Sequence, residues 1–356
     1  MSKFFALKVK KIQKETPSCV SVSFDIPAEI KETFRYKQGQ YLTFRLFMNA
    51  EELRRSYSIC SNPLSDEDLV VAVKKVQGGR VSAYFNDTLQ VGDTVEVMPP
   101  MGNFYAELNS THQKNYVLFA GGSGITPMLS IISATLQAEP QSRLHLFYGN
   151  LDEVSTIFKK NLEDLAVQFA GRFEVHFIYD KHQYPSDNNL YSGILDGVKV
   201  SSILDTFSFP IETEYFICGP APMMDFIVKA LESRSVASKF VHVEYFSAPV
   251  DASKEELSAE EIIDSQMVVI CDGDEVPVFV KAGQSVLEAA LAMHLDAPYS
   301  CRAGSCCTCR AKLVEGKVKM KVNYSLLEEE VAEGFILTCQ SYPLTSTLVV
   351  DYDRGR

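Results

Sequence analysis

Four cysteines near the C-terminus constrain this chain more than any other feature. In Cys301-Arg-Ala-Gly-Ser-Cys306-Cys307-Thr-Cys309 three thiols stand at the spacing C-x4-C-x2-C, and Cys339 supplies a fourth after room for a hairpin and a turn. That spacing holds a [2Fe–2S] cluster. Ala303, Gly304, Ser305 and Thr308 are small, so backbone N–H groups of the loop are free to turn inward and hydrogen-bond the sulfides, which favours the added negative charge of a reduced cluster. Zinc is the competing reading, but zinc sites pair their ligands in short Cys or His units, whereas Cys339 stands alone. The absence of a Cys-x-His pair argues against a Rieske centre. The expected metal ligands are therefore Cys301, Cys306, Cys309 and Cys339. Cys307 does not fit the spacing and reads as a small residue packed near the cluster, with a redox-sensitive thiol as the alternative. Cys19, Cys60, Cys218 and Cys271 are scattered, unlike a disulfide framework, and read as reduced core thiols.

A one-electron site needs a source of electrons, and 356 residues leave room for two or three domains. A formal net charge of -12, with no Lys/Arg-rich run, argues against a nucleic-acid surface. The N-terminus alternates basic and apolar residues without an uninterrupted apolar region, and no later apolar run is long enough to span a bilayer. A soluble cytoplasmic protein with no membrane contact is expected.

Residues 1–110 carry short alternating runs such as Ser21-Val-Ser-Phe-Asp-Ile, punctuated by Pro27, Gly39, Pro63, Gly92 and Pro99-Pro100, and read as a small antiparallel β-barrel. Within it, Arg55-Ser56-Tyr57-Ser58 sets a cation beside a flat aromatic and hydroxyls, which suits a phosphate joined to a planar ring; strand alternation puts Arg55 and Tyr57 on one face. An exposed edge strand is the alternative. Gly78-Gly79-Arg80-Val81-Ser82 then opens a short helix whose free N–H groups suit an anion.

From 111 to 247 the pattern changes to apolar strands alternating with helices: Tyr116–Ala120, Arg143–Tyr148, Phe173–Tyr179, Glu214–Cys218 and Phe240–Phe246. This predicts an α/β doubly wound parallel sheet, which binds ligands beyond its carboxyl strand ends. Two motifs fall there. Gly121-Gly122-Ser123-Gly124-Ile125-Thr126-Pro127 opens a helix, but it is not the G-x-G-x-x-G fingerprint. Cys218-Gly219-Pro220 ends a second strand. The strand histidines His145, His176 and His242 read as satisfied core residues. Residues 248–264 are acidic and poor in aromatics, as a linker is. In 265–356 a hairpin over Met267–Val280 precedes a capping box, Ser285-Val-Leu-Glu288, and the cysteine loop follows that helix.

Arg55-Ser-Tyr57-Ser58, the Gly79 helix start with Ser82, and Pro99-Pro100-Met-Gly102-Asn-Phe104 together resemble the flavin domain of the ferredoxin–NADP reductase superfamily. The Gly121 and Cys218 motifs resemble its nicotinamide half, and the order hairpin, helix, cysteine loop resembles the α+β β-grasp of plant-type ferredoxins. The resemblance covers the whole chain, with the ferredoxin last. It implies FAD held by Arg55, Ser56, Tyr57, Ser58, Gly79, Val81 and Ser82, and NAD(P)H held by Gly122, Gly124, Thr126, Pro127, Cys218 and Gly219. Phe246 would approach the flavin, and Ser58, Thr126 and Cys218 would surround hydride transfer to flavin N5. Electrons would then pass singly to the cluster and on to an external oxygenase component. The last segment, Cys309 to Leu344, is most similar to reductases that serve phenylacetyl-CoA epoxidation, with relatives serving ring- and steroid-hydroxylating systems. A general ferredoxin or flavodoxin reductase is an alternative, and an iron–sulfur redox sensor is another. Leu151 and Gly193-Ile194-Leu195-Asp196 lack the Arg that many relatives place there, so NADPH and NADH both stay open, with Lys159, Lys160 and Lys181 as substitute cations.

Overall fold

The computed structural model describes residues 3–181, 190–246 and 262–355. The first sheet is antiparallel. Its strands are β1 (Phe5–Thr16), β2 (Cys19–Asp25), β3 (Tyr41–Met48), β4 (Glu51–Ser58), β5 (Leu69–Lys74) and β6 (Thr94–Val97). They run in the order β4-β3-β6-β1-β2-β5, and an antiparallel bridge between Ile59 and Val71 joins the outer two, closing the expected barrel. Alternate β-branched and aromatic residues fill it: Val20, Val22 and Phe24 of β2 pack with Leu42 and Phe44 of β3. Helix α1 (Arg80–Asp87) adds Phe85, whose ring meets Phe44 edge-on at 5.2 Å.

The second sheet is parallel throughout, as the continuous apolar runs predict. It comprises β7 (Asn115–Gly121), β8 (Arg143–Asn150), β9 (Phe173–Tyr179), β10 (Glu214–Cys218) and β11 (Val241–Glu244), in the order β11-β10-β7-β8-β9. Helices α2 (Ile125–Ala138), α3 (Lys159–Gln168), α4 (Gly197–Phe207) and α5 (Ala221–Ser233) connect the strands. Strand order reverses between β7 and β10, the place where such sheets open a crevice. The expected last strand is shorter than its apolar run. A 3-10 turn over Ser238–Phe240 precedes β11, which stops at Glu244 and leaves Phe246 46% exposed.

The third unit has a five-stranded sheet in the order β13-β12-β18-β14-β16 and a β15-β17 pair. Its elements are β12 (Ser265–Cys271), β13 (Asp274–Val280), α6 (Val286–Ala292), β14 (Arg310–Glu315), β15 (Val318–Met320), α7 (Glu328–Ala332), β16 (Phe335–Leu337), β17 (Ser341–Pro343) and β18 (Thr347–Asp351). The hairpin pairs Val269 with Val276, and β18 runs parallel to β12, the grasp topology expected. The capping box forms as the sequence predicts: Ser285 Oγ accepts from the Glu288 amide at 3.2 Å, and Glu288 Oε2 accepts from the Ser285 amide at 2.9 Å. Such a cap is worth about 1 kcal/mol. The helix ends at Ala292, and His294 beyond it takes a left-handed φ of 58°. Residues 248–261 of the expected linker lie outside the described residues.

The seams between the three units differ in kind. Helix α2 is buried along nearly its whole length because the barrel lies on one side and the parallel sheet on the other. Cys19, Cys60 and Ala72 of the barrel share one apolar core with Leu118, Ile131 and Phe216. The third unit instead meets the barrel through Tyr41 and Met101, which pack against its core, and a set of polar contacts, and meets the parallel-sheet unit where Tyr245 packs against Tyr324.

Candidate functional site

The cysteine loop places its sulfurs in two pairs. Cys301 stands beside Cys306, and Cys309 beside Cys339. A cluster of two irons needs two thiolates on each, so the donor set fits. The Ala303 amide points at Cys301 Sγ, 3.3 Å away, and the Cys301 amide at Cys306 Sγ, 3.5 Å away. These are the inward N–H groups the small loop residues are there to permit. Gly304 turns the loop at φ 73°, and a Cβ there would stand 2.9 Å from Val322 Cγ2. Gln340 ties the distant cysteine to the loop, donating to the Arg302 carbonyl at 3.0 Å. Cys306, Cys309 and Cys339 are buried and Cys301 is half-buried. Cys307 belongs to neither pair. It faces the barrel, with its sulfur 3.4 Å from the Tyr41 hydroxyl.

A cavity of about 490 Å³ opens between barrel and parallel sheet, lined by Arg55, Ser56, Tyr57, Ser58, Gly79, Val81 and Ser82, with Thr126 and Phe246 across from them. The structure thus brings together residues spread over nearly 200 positions of sequence. Arg55 lies on the cavity wall and is exposed, available to a phosphate. Tyr57 stands against Phe85 at 5.4 Å, which fixes one face of its ring. The start of α1 has no side-chain cap among the described residues, so its first amides are open to an anion. Ser82 is committed internally: its hydroxyl donates to the Gly79 carbonyl at 3.1 Å and accepts from the Val76 amide at 3.1 Å. Its side chain shapes the helix start, leaving anion contact to the backbone.

At the carboxyl ends of β7 and β10 the two glycine-containing motifs interlock. Gly124 packs against the Cys218–Gly219 peptide, and a Cβ on Gly219 would lie 3.0 Å from Gly121 Cα. Pro127 sits in the first turn of α2, and a short 3-10 turn over Gly122–Gly124 precedes the helix. Thr126 and Cys218 are both buried at this junction, Thr126 Oγ1 donating to the Ser123 carbonyl at 3.0 Å. Of the lysines near the expected nucleotide end, Lys159 pairs with Glu153 at 3.3 Å and Lys160 with Asp164 at 2.9 Å. Lys181 lies close enough to Asp152 to help hold its carboxyl below the usual range, after the Ser155 hydrogen bonds.

One candidate residue escaped the sequence reading. Glu244, opposite Cys218 in the β10–β11 register, accepts a hydrogen bond from Ser58 Oγ at 3.1 Å. Burial pushes its carboxyl up to about 8, against the Ser58 hydrogen bond. Ser58 and Glu244 are 186 residues apart, and no spacing rule links them. The clue available was a carboxylate at the end of an apolar strand. From Ser58 the path continues through the barrel, because its strand partner across β3–β4 is Tyr41. The Tyr41 hydroxyl lies 3.1 Å from Thr308 Oγ1, inside the cysteine loop. Nearby, Ser56 and Ser300 hydroxyls meet at 2.9 Å.

Three family descriptions match successive stretches of the chain: oxidoreductase FAD-binding domain over residues 6–105, oxidoreductase NAD-binding domain over 118–229, and 2Fe-2S iron-sulfur cluster binding domain over 269–344. The chain is 40% identical over 356 residues to one of the subunits of 1,2-phenylacetyl-CoA epoxidase from Escherichia coli (strain K12), covering 99% of each protein. It is 35% identical over 360 residues to the ferredoxin reductase component of 3-ketosteroid-9-alpha-monooxygenase from Mycobacterium tuberculosis, covering 98% of this chain and 95% of that one. Among solved structures it superposes on phthalate dioxygenase reductase with a TM-score of 0.59 at 26% identity, covering 98% of both chains. No described helix is long and apolar enough to cross a membrane.

Proposed function

The chain belongs to the fused-ferredoxin reductases that act as reductase components of oxygenase systems, and from that premise we propose which residues carry its electrons and to whom. When bound, nicotinamide, flavin and cluster supply hydride donation, the step from electron pairs to single electrons, and one-electron relay. The protein's own work is positioning. Gly122, Gly124, Pro127 and Gly219 keep the crevice open so that Thr126 and Cys218 flank the nicotinamide. Arg55 and the open amides at Val81 and Ser82 would hold the phosphate of FAD, and Tyr57 and Phe246 would pack near its flat ring. Ser58, hydrogen-bonded to Glu244, presents a hydroxyl where a ring nitrogen gains and loses a proton. Cys301, Cys306, Cys309 and Cys339 hold the cluster.

The observation that carries this reading is contiguity. Glu244, Ser58, Tyr41 and Thr308 form one chain of neighbours from the nicotinamide crevice to the cysteine loop. Neither a free-standing sensor nor a storage module needs such a chain. For the acceptor, full-length likeness at 40% identity supports the oxygenase component of phenylacetyl-CoA epoxidase, in phenylacetate degradation. The second reading is a steroid-hydroxylating oxygenase, supported at 35% identity.

The test is anaerobic. NADH or NADPH is added to the purified holoprotein while flavin and cluster absorbance are followed, and both should bleach. Unchanged bands sink the reductase assignment. Reduced protein is then mixed with the separate oxygenase components, and faster product formation with the phenylacetyl-CoA enzyme selects it over the steroid enzyme.

A further inference from the structure

The outer edge of the parallel sheet carries a second group of ligating side chains, away from the crevice. His145 lies near the start of β8, and Glu174 and His176 lie on β9. The register sets His145 opposite Glu174 and Phe147 opposite His176, so all three side chains stand on one face. There Phe147 stacks on His176 at 4.7 Å, and Phe207 closes over His176 at 4.9 Å. The reading of strand histidines as satisfied core residues holds for His242, whose Nε2 is 2.7 Å from Glu214. It fails for the other two. His145 Nδ1 and His176 Nε2 are buried with no hydrogen-bond partner among the described residues. Leaving such groups unmet is costly in a folded protein.

Both orphaned nitrogens face the same oxygen. Glu174 Oε2 is 3.7 Å from His145 Nδ1 and 3.6 Å from His176 Nε2, beyond a hydrogen bond. Two bonds of about 2.1 Å meeting at a tetrahedral to trigonal angle would separate donor atoms by roughly 3.4–3.6 Å. His176 Nδ1 lies 3.4 Å from the Tyr191 hydroxyl, and with that nitrogen donating, the Nε2 lone pair is turned toward Glu174. Two ring nitrogens without partners among the described residues, grouped around one carboxylate oxygen, leave a place that a cation would satisfy.

We propose that His145 Nδ1, Glu174 Oε2 and His176 Nε2 bind one late first-row divalent cation, zinc being the best match to two imidazoles and a carboxylate, with water completing the shell. Glu174 is 55% exposed and gives the ion its way in from solvent. The bound ion pins edge strand β9 to β8, a structural clamp set apart from the electron path. The rings lie 4° from parallel, so both must turn about χ2, a soft torsion for imidazole, to aim their lone pairs at the ion.

The test uses the holoprotein with its iron intact. After treatment with chelator it is dialysed against zinc, and zinc and iron per chain are measured together with the melting temperature. The expected result is one zinc bound per chain, unchanged iron and a raised melting temperature. His176→Phe, which suits the aromatic surroundings, and Glu174→Gln, at the exposed position, should each weaken zinc binding at least tenfold while leaving the NAD(P)H-driven rate unchanged. No retained zinc, retention equal to wild type in both variants, or zinc gained only as iron is lost would each overturn the site.

Discussion

Replacing Gly124 with Ala tests whether the two strand-end motifs work as one device. A Cβ at Gly124 would overlap the Cys218 carbonyl and stand 2.9 Å from the Gly219 amide nitrogen, where ordinary contact begins near 3.4 Å. Both obstacles are backbone, so no side-chain rotation relieves them. The ends of β7 and β10 must part by half an ångström or more, although these strands are hydrogen-bonded neighbours. Overpacking of this kind costs about 1–3 kcal/mol, and a backbone obstacle belongs at the upper end. Function should suffer more than stability, because the parting separates Thr126 from Cys218, and a misplacement near 1 Å costs roughly 100-fold in rate. We expect NAD(P)H-driven flavin reduction, followed by stopped-flow absorbance, to slow by about 10- to 100-fold. Reduction by dithionite should be unaffected. Gly171→Ala is the control: its φ is +81° with nothing within 4 Å, so it should cost about 1 kcal/mol in strain and leave the rate alone. A wild-type rate in the Gly124 variant would refute the interlock.

Three further outcomes follow from the same geometry. Cys339→Ser removes one thiolate of the Cys309 pair, so cluster absorbance should vanish while NAD(P)H-dependent ferricyanide reduction persists; loss of that activity in a folded variant would show that the cluster unit is not separable from the rest. Tyr41→Phe deletes the hydroxyl shared by Cys307 and Thr308, worth about 1 kcal/mol per bond. It should slow flavin-to-cluster transfer while sparing flavin reduction, and equal effects on both steps would contradict the assignment. Glu244 has a folded pKa of about 8 against an ordinary 4.5, so the stability carried by its protonation is complete below 4.5 and is lost as pH rises through 8. Urea midpoints from about pH 6 to about pH 9 should therefore fall in wild type and flatten in Glu244→Gln. An unchanged slope would locate the titration elsewhere.

What was legible in the sequence was whatever has local periodicity or fixed spacing. The apolar runs of β7 to β10 announced a parallel sheet because burial on both faces leaves no polar alternation to find. The Ser285–Glu288 box announced its helix because both partners lie within one turn. The sulfur quartet was readable from spacing, though its grouping into Cys301 with Cys306 and Cys309 with Cys339 needed coordinates. Glu244 and the His145–His176 pair were misread or missed for one reason. A polar residue on a buried strand declares nothing until its cross-chain neighbours are known, and those lie at Ser58 for the first and across the β8–β9 ladder for the second.

The seam between barrel and cysteine unit was illegible for the same reason, and its composition carries mechanical meaning. Barrel and parallel sheet share an apolar core around α2, so separating them would expose a large hydrophobic surface and they act as one body. The cysteine unit is held differently. Arg54, nearly buried, lies 3.9 Å from the Tyr299 ring centroid while that tyrosine's hydroxyl donates to Glu52 at 3.1 Å. Ser56 meets Ser300, and Asn103 donates to Glu330 at 2.8 Å. Every one of these groups regains a partner from water on separation, so each contributes only a modest net stabilisation. Tyr41, with Met101 beside it, is different: a barrel ring seated in the apolar core of the cysteine unit. A seam with a small apolar contact and many exchangeable polar contacts is weaker than the shared core around α2. Tyr41 also lies between Ser58 and Thr308, so one side chain belongs both to the seam and to the line of neighbours that runs from the crevice to the cysteine loop.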